Sequence, residues 1–113
     1  MDGSDAVSWR PMIAGLLRVT WSEHTPDGIR LVSYTKPWEF QGMPRIGDEI
    51  HEESLNGYSA CTVVGVYGSG AGLIVEVDPV DATELTKAQR DGWPRRLRAG
   101  GWTVETQSWT RFA

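Results

Sequence analysis

Ala60-Cys61-Thr62-Val63-Val64-Gly65-Val66-Tyr67, Gly68-Ser69-Gly70-Ala71-Gly72 and Leu73-Ile74-Val75-Glu76-Val77-Asp78 form one continuous stretch. Two β-branched runs around a five-residue glycine-rich connection predict a β-hairpin, and the rest of the chain can be laid against it. The connection also has the glycine content of a phosphate cradle. A phosphate loop, however, needs a helix behind it whose first amides hold the anion, and a second strand follows instead. Cys61 is the single cysteine, which excludes an intramolecular disulfide and a multi-cysteine zinc site. Its place in a strand predicts a small buried hydrophobe.

Upstream, Asn56-Gly57 is the strongest short turn signal in the chain and joins a strand over Asp48–Ser54 to the central Ala60–Tyr67 strand. That strand is introduced by Arg45-Ile46-Gly47-Asp48-Glu49-Ile50. The run resembles the Ile/Val-Gly-Asp-x-Ile/Val start of many SH3-like barrels, where the glycine permits a sharp bend. The resemblance implies a fold, shared by unrelated functions. Earlier still, Ile13, Gly15, Leu17, Val19 and Trp21 alternate with Arg18, Thr20 and Ser22, which predicts a strand with one buried face. Thr25-Pro26-Asp27-Gly28 supplies turn chemistry, and Ile29–Thr35 returns as the partner strand. Residues 1–10 are polar and predict a frayed start, with Trp9 the first anchored side chain.

Between these hairpins, Lys36 to Pro44 reads as a connection, because Pro37 and Pro44 restrain the backbone. It carries Trp38, Phe40 and Met43, which either tuck under the sheet as a lid or present an apolar binding surface. Downstream, Asp81 with Glu84 predicts a capped helix over Ala82–Asp91, ended by Gly92 and Trp93-Pro94. The basic segment Arg95-Arg96-Leu97-Arg98 then leads to an alternating run, Trp102–Gln107, able to close the sheet as a sixth strand.

With 113 residues there is room for one domain, 1–113. Thirteen glycines and six prolines suit many short strands with tight turns better than a helical bundle. Six tryptophans exceed what so small a core readily hides, which predicts a surface aromatic patch. The first residues, Met1-Asp2-Gly3-Ser4-Asp5, are acidic where a signal peptide is basic. No apolar run approaches the roughly 18 residues of a membrane span. The expected location is cytoplasmic, or in a particle assembled from the cytoplasm. Net charge is −4, split between residues 1–92 (7 Lys/Arg against 14 Asp/Glu, 7 − 14 = −7) and residues 93–113 (4 against 1, 4 − 1 = +3). Such a split either marks a functional tail or a pair of complementary surfaces, or is chance.

Several constellations carry chemistry in principle. Glu49, His51 and Glu53 share one strand face, but alternate residues on a strand lie some 6.5–7 Å apart at about 3.3 Å per residue, too far for all three to share an ion. No nucleophile elbow opens a helix. Trp93, Arg95, Arg96, Arg98 and Trp102 interleave arginine and indole as nucleic-acid modules do, yet the domain is acidic overall.

The resulting expectation is a mainly β domain: a small antiparallel meander or barrel, SH3-like or similar, of five to six strands with one short helix in the C-terminal half. A sandwich is the competing architecture. The expected function is a non-catalytic protein-interaction module with no cofactor and no metal, binding a protein partner or a second copy of itself through Trp38, Phe40, Met43, Trp93, Arg95, Arg96, Arg98 and Trp102. Small acidic β-barrels occur as accessory parts of phage particles and as inhibitors of defence proteins, which gives the analogy. Nucleic-acid binding through the Arg/Trp-rich segment ranks second, and a metal-dependent enzyme last.

Overall fold

The longest paired unit is the first hairpin. Strand β1 (Met12–Thr25) and strand β2 (Gly28–Gln41) run antiparallel in unbroken register from Met12 opposite Gln41 to Thr25 opposite Gly28. The computed structural model describes residues 12–52, 61–69 and 72–112. Within them, β3 (Glu49–Ile50), β4 (Cys61–Ser69), β5 (Gly72–Val77), β6 (Val80–Asp81) and β7 (Thr103–Arg111) complete one mainly β sheet in the order β3-β4-β5-β1-β2-β7, with β6 beside β1. The hairpin anticipated at residues 60–78 is present as β4 and β5, paired from Val63 opposite Val77 to Ser69 opposite Gly72. It sits beside the centre of the sheet, and β1 holds the centre. The expected Asn56-Gly57 turn, the anchoring of Trp9 and the loop tip at Gly70-Ala71 lie outside the described residues.

Three local expectations are corrected. First, residues 36–41 are strand: Leu16 faces Pro37 and Ile13 faces Phe40. Pro37 is tolerated because β7 pairs with β2 only as far as Thr35, so β2 is an edge beyond that point and a missing N–H disturbs no second neighbour. Second, Asp81 caps only a short 3-10 turn, Ala82–Glu84, and helix α1 spans Lys87–Ala99. Thr86 and Gln89 form its capping box, and it passes through Gly92 and Pro94. An interior proline costs about 3 kcal/mol and a glycine about 1. Burying Trp93 and Leu97, one turn apart on the same helix face, returns about 1.5–3 kcal/mol each and offsets that loss. Third, β3 and β7 stand at opposite ends of the order, so the sheet is open, without barrel closure, and β5 and β6 both run parallel to β1.

The core lies on one face of this sheet. Leu17, Val19 and Trp21 from β1, Val32, Tyr34 and Phe40 from β2, and Cys61, Val63, Val75 and Val77 from β4 and β5 meet Trp93, Leu97 and Trp102. Trp21 and Trp93 hold the helix to the sheet with ring centroids 5.4 Å apart. On the opposite face Arg18 Nε donates to Glu76 at 2.9 Å and its Nη1 lies 3.6 Å from Glu105.

Burial first, then the charges of Asp78 and Glu52, push the Cys61 thiol up to about 11. The folded value lies above that of the unfolded chain. The neutral thiol therefore contributes stability at neutral pH that is lost as pH rises through the folded value. At pH 8 the folded molecule therefore keeps this thiol protonated. A maleimide or disulfide reagent at that pH is expected to label Cys61 only after denaturation. Stoichiometric labelling of the native protein within minutes would contradict its burial.

Candidate functional site

The end of β2 makes a recess of the fold. Gln41 ends the strand, Gly42 and Gly47 take positive φ of 93° and 97°, and the chain doubles back so that β3 faces the Trp38–Met43 segment. Gly47 is the glycine of the Ile-Gly-Asp run. It bends the chain as expected, with its N–H donating to the Val63 carbonyl at 2.8 Å. The Asp48 carboxylate closes the turn by accepting the Arg45 N–H at 2.8 Å. The result is an open cleft of about 390 Å³.

Its lining has two chemistries. Met12, Trp38, Met43 and Ile50 supply apolar surface, with Met43 62% exposed. Glu39, Asp48 and Glu49 supply three carboxylates, His51 stands beside them, and among the described residues neither lysine nor arginine lines the cleft. A cation beside the apolar wall is already engaged. Lys36 Nζ lies 5.5 Å from the Trp38 ring centroid and donates to the buried carboxylate of Glu52 at 2.5 Å. The cleft is therefore a partly apolar surface with an acidic rim, suited to a ligand carrying both apolar and positively charged groups.

The eight residues singled out from the sequence divide. Trp38, Phe40 and Met43 come together at this cleft, although Phe40 is largely a core residue. Trp93, on the inner face of α1, and Trp102, just beyond its end, are buried. Arg95, Arg96 and Arg98 are exposed on α1, and the Arg96 guanidinium sits 4.7 Å from the Trp93 ring centroid. No residue of α1 lines the cleft, so the arginines and the Trp38 group are separate surfaces. Glu49 and His51 do share the cleft, while Glu53 of the same trio lies outside the described residues.

Comparison of the chain with known protein families, with curated proteins and with solved structures finds no match. The functional reading thus rests on the chemistry of the surfaces themselves. Sequence reasoning missed Met12, Glu39 and Asp48 as lining residues, because treating 36–44 as a connection hid the strand that brings Met12 opposite Gln41. It also missed the aromatic residues near the C-terminal end, Trp109 and Phe112, which are 50% and 51% exposed. The alternation that would have found them continues past Gln107 to Arg111.

Proposed function

We propose that this domain is a non-catalytic protein-interaction module whose cleft at the end of β2 receives a partner segment bearing basic and apolar side chains. The observation that carries the reading is the lining of the cleft by the described residues: exposed Met43 and half-buried Trp38 beside three carboxylates, with no lysine or arginine among those residues. Exposed apolar surface rimmed by polar groups marks interaction sites, and the uncompensated negative charge selects the sign of the partner. Arg95, Arg96 and Arg98 offer a second, positive surface to an acidic partner. An accessory or inhibitory protein of phage type is one setting for such a module, by analogy alone. Nucleic-acid binding loses support because Trp93 and Trp102 are buried, leaving the arginine segment without indoles on which bases could stack.

Binding of short peptides tests the reading. A peptide alternating Arg or Lys with Leu or Trp is expected to bind at least tenfold more tightly than its Glu-substituted counterpart at about 0.15 M salt, where charges are screened beyond roughly 8 Å. The paired substitution Glu39→Lys with Glu49→Lys is expected to remove that preference, and Met43→Ala to weaken both the affinity and the apolar contribution. Equal binding of both peptides, or an unchanged preference in the doubly substituted protein, would contradict the assignment.

A further inference from the structure

Toward its turn, the core face of the first hairpin passes from apolar to charged residues. Trp21 stands opposite Val32, and two residues nearer the turn on the same face Glu23 stands opposite Arg30. Arg90, Asp91 and Pro94 of α1 form the other wall, and helix and sheet enclose between them a recess of about 340 Å³. The floor is buried, with Trp21, Val32 and Tyr34 only 5%, 2% and 4% exposed. Arg30 is exposed, so the recess opens to solvent on its side.

The four charged residues around the recess differ in what they hold. Those on the helix are engaged: Arg90 Nη1 donates to the Leu85 carbonyl at 2.7 Å, and the Asp91 carboxylate lies 3.4 Å from Lys87 Nζ. Those on the strands are not. Directly opposite residues of unlike charge ordinarily interact. Yet among the described residues the side chains of Glu23 and Arg30 form neither an ion pair nor a hydrogen bond, with each other or with any third group. Tyr34 repeats the pattern. A buried tyrosine usually finds a partner for its hydroxyl, but among the described residues this hydroxyl has none. Burial pushes the Tyr34 phenol up, and the guanidinium groups of Arg30 and Arg98 pull it back, so both cations stand near the hydroxyl. The recess therefore presents a carboxylate, a guanidinium and a phenol whose bonding capacity the protein itself leaves unused.

We propose that this recess binds an α-amino acid with an apolar or aromatic side chain: Arg30 and the Tyr34 hydroxyl hold its carboxylate, Glu23 holds its ammonium group, and its side chain lies on Trp21 and Val32. A ligand of one sign would leave either Glu23 or Arg30 unmatched beside it, whereas a zwitterion answers both. Opposite residues of an antiparallel pair have Cα atoms about 4.5–5.5 Å apart, so their charged ends can reach the two ends of a head group built on a single carbon. The guanidinium fork fits a carboxylate with two parallel hydrogen bonds. The volume is at the small end of ligand recesses, about 300–1,000 Å³, which suits a ligand of this size. The recess shares no lining residue with the cleft at the other end of the hairpin, so the proposal does not rest on the peptide-binding reading.

Calorimetric titration of the full chain with L-phenylalanine, L-leucine, 3-phenylpropionate and 2-phenylethylamine tests the assignment. One-to-one binding of L-phenylalanine is expected, at least tenfold tighter than that of 3-phenylpropionate or 2-phenylethylamine, because each analogue leaves one charge of the recess unmatched. Glu23→Gln is expected to remove the preference over 3-phenylpropionate, and Arg30→Gln the preference over 2-phenylethylamine. Tyr34→Phe is expected to weaken L-phenylalanine binding at least threefold with an unchanged circular dichroism spectrum. Failure of both amino acids to bind saturably below about 10 mM would overturn the proposal. So would 3-phenylpropionate binding as tightly as L-phenylalanine, or a preference that survives both charge-neutralising variants.

Discussion

Replacing Trp102 with alanine is expected to remove a large part of the stability of the domain. The indole is 1% exposed and lies between α1 and β7, where the chain leaves the helix to become the edge strand. The Trp102 backbone N–H bonds the Leu97 carbonyl at 3.0 Å, so the buried side chain is held at the end of the helix against the core. Phe or Trp to Ala in a core costs about 3–5 kcal/mol, through lost burial and the cavity that remains. The total stability of a domain is commonly about 5–15 kcal/mol. Thermal or urea unfolding should therefore show a marked fall for Trp102→Ala. Trp109→Ala, at an exposed position, should stay within about 0.5 kcal/mol of the parent. Similar losses at the two positions would contradict the division of tryptophans between core and surface.

Lys36→Met is expected to be the next most damaging change. Glu52 is 6% exposed, and the Lys36 ammonium bonds its carboxylate while the lysine side chain stays partly exposed. Removing the cation takes the charged partner Lys36 from a carboxylate in a place with little water, a loss of about 1–3 kcal/mol. Taking away both partners is less harmful than taking away one, because the isolated charge is what costs most. Urea unfolding of Lys36→Met, Glu52→Gln and the double variant should thus show strong non-additivity, with the double closer to the parent than the sum of the singles. Additive losses would mean that the pair is not coupled, and that the Lys36–Gln41 strand is held by its backbone ladder alone.

How far the fold could be read follows from where local and long-range forces agree. The alternation of Leu17, Val19 and Trp21, the Pro26-Asp27 turn and the valine-rich runs around Gly65 all favour strands locally, and tertiary packing asks for the same thing. Disagreement arises at prolines and glycines. Pro37 argues locally against a strand, but it sits where β2 has lost one neighbour and its missing donor goes unnoticed. Gly92 and Pro94 argue against a helix, but Trp93 and Leu97 flank them and repay the defect by burial. The parallel pairing of β1 with β5 has no local signature at all, because it depends on three intervening strands crossing over. The interaction residues were legible by type more than by place. Tryptophan suits cores and interfaces equally well, so only the fold could separate Trp93 and Trp102, which are hidden, from Trp38 and Trp109, which are not.

The most direct test of the interaction reading is a backbone amide NMR titration of the domain with the basic, apolar peptide. The account predicts that shifts gather at Trp38, Glu39, Met43, Asp48 and Glu49 and saturate with one peptide per chain, and that they vanish in the Glu39→Lys, Glu49→Lys protein. Shifts confined to Arg95, Arg96 and Arg98 on addition of a single-stranded oligonucleotide, with none at the cleft for any peptide, would contradict it.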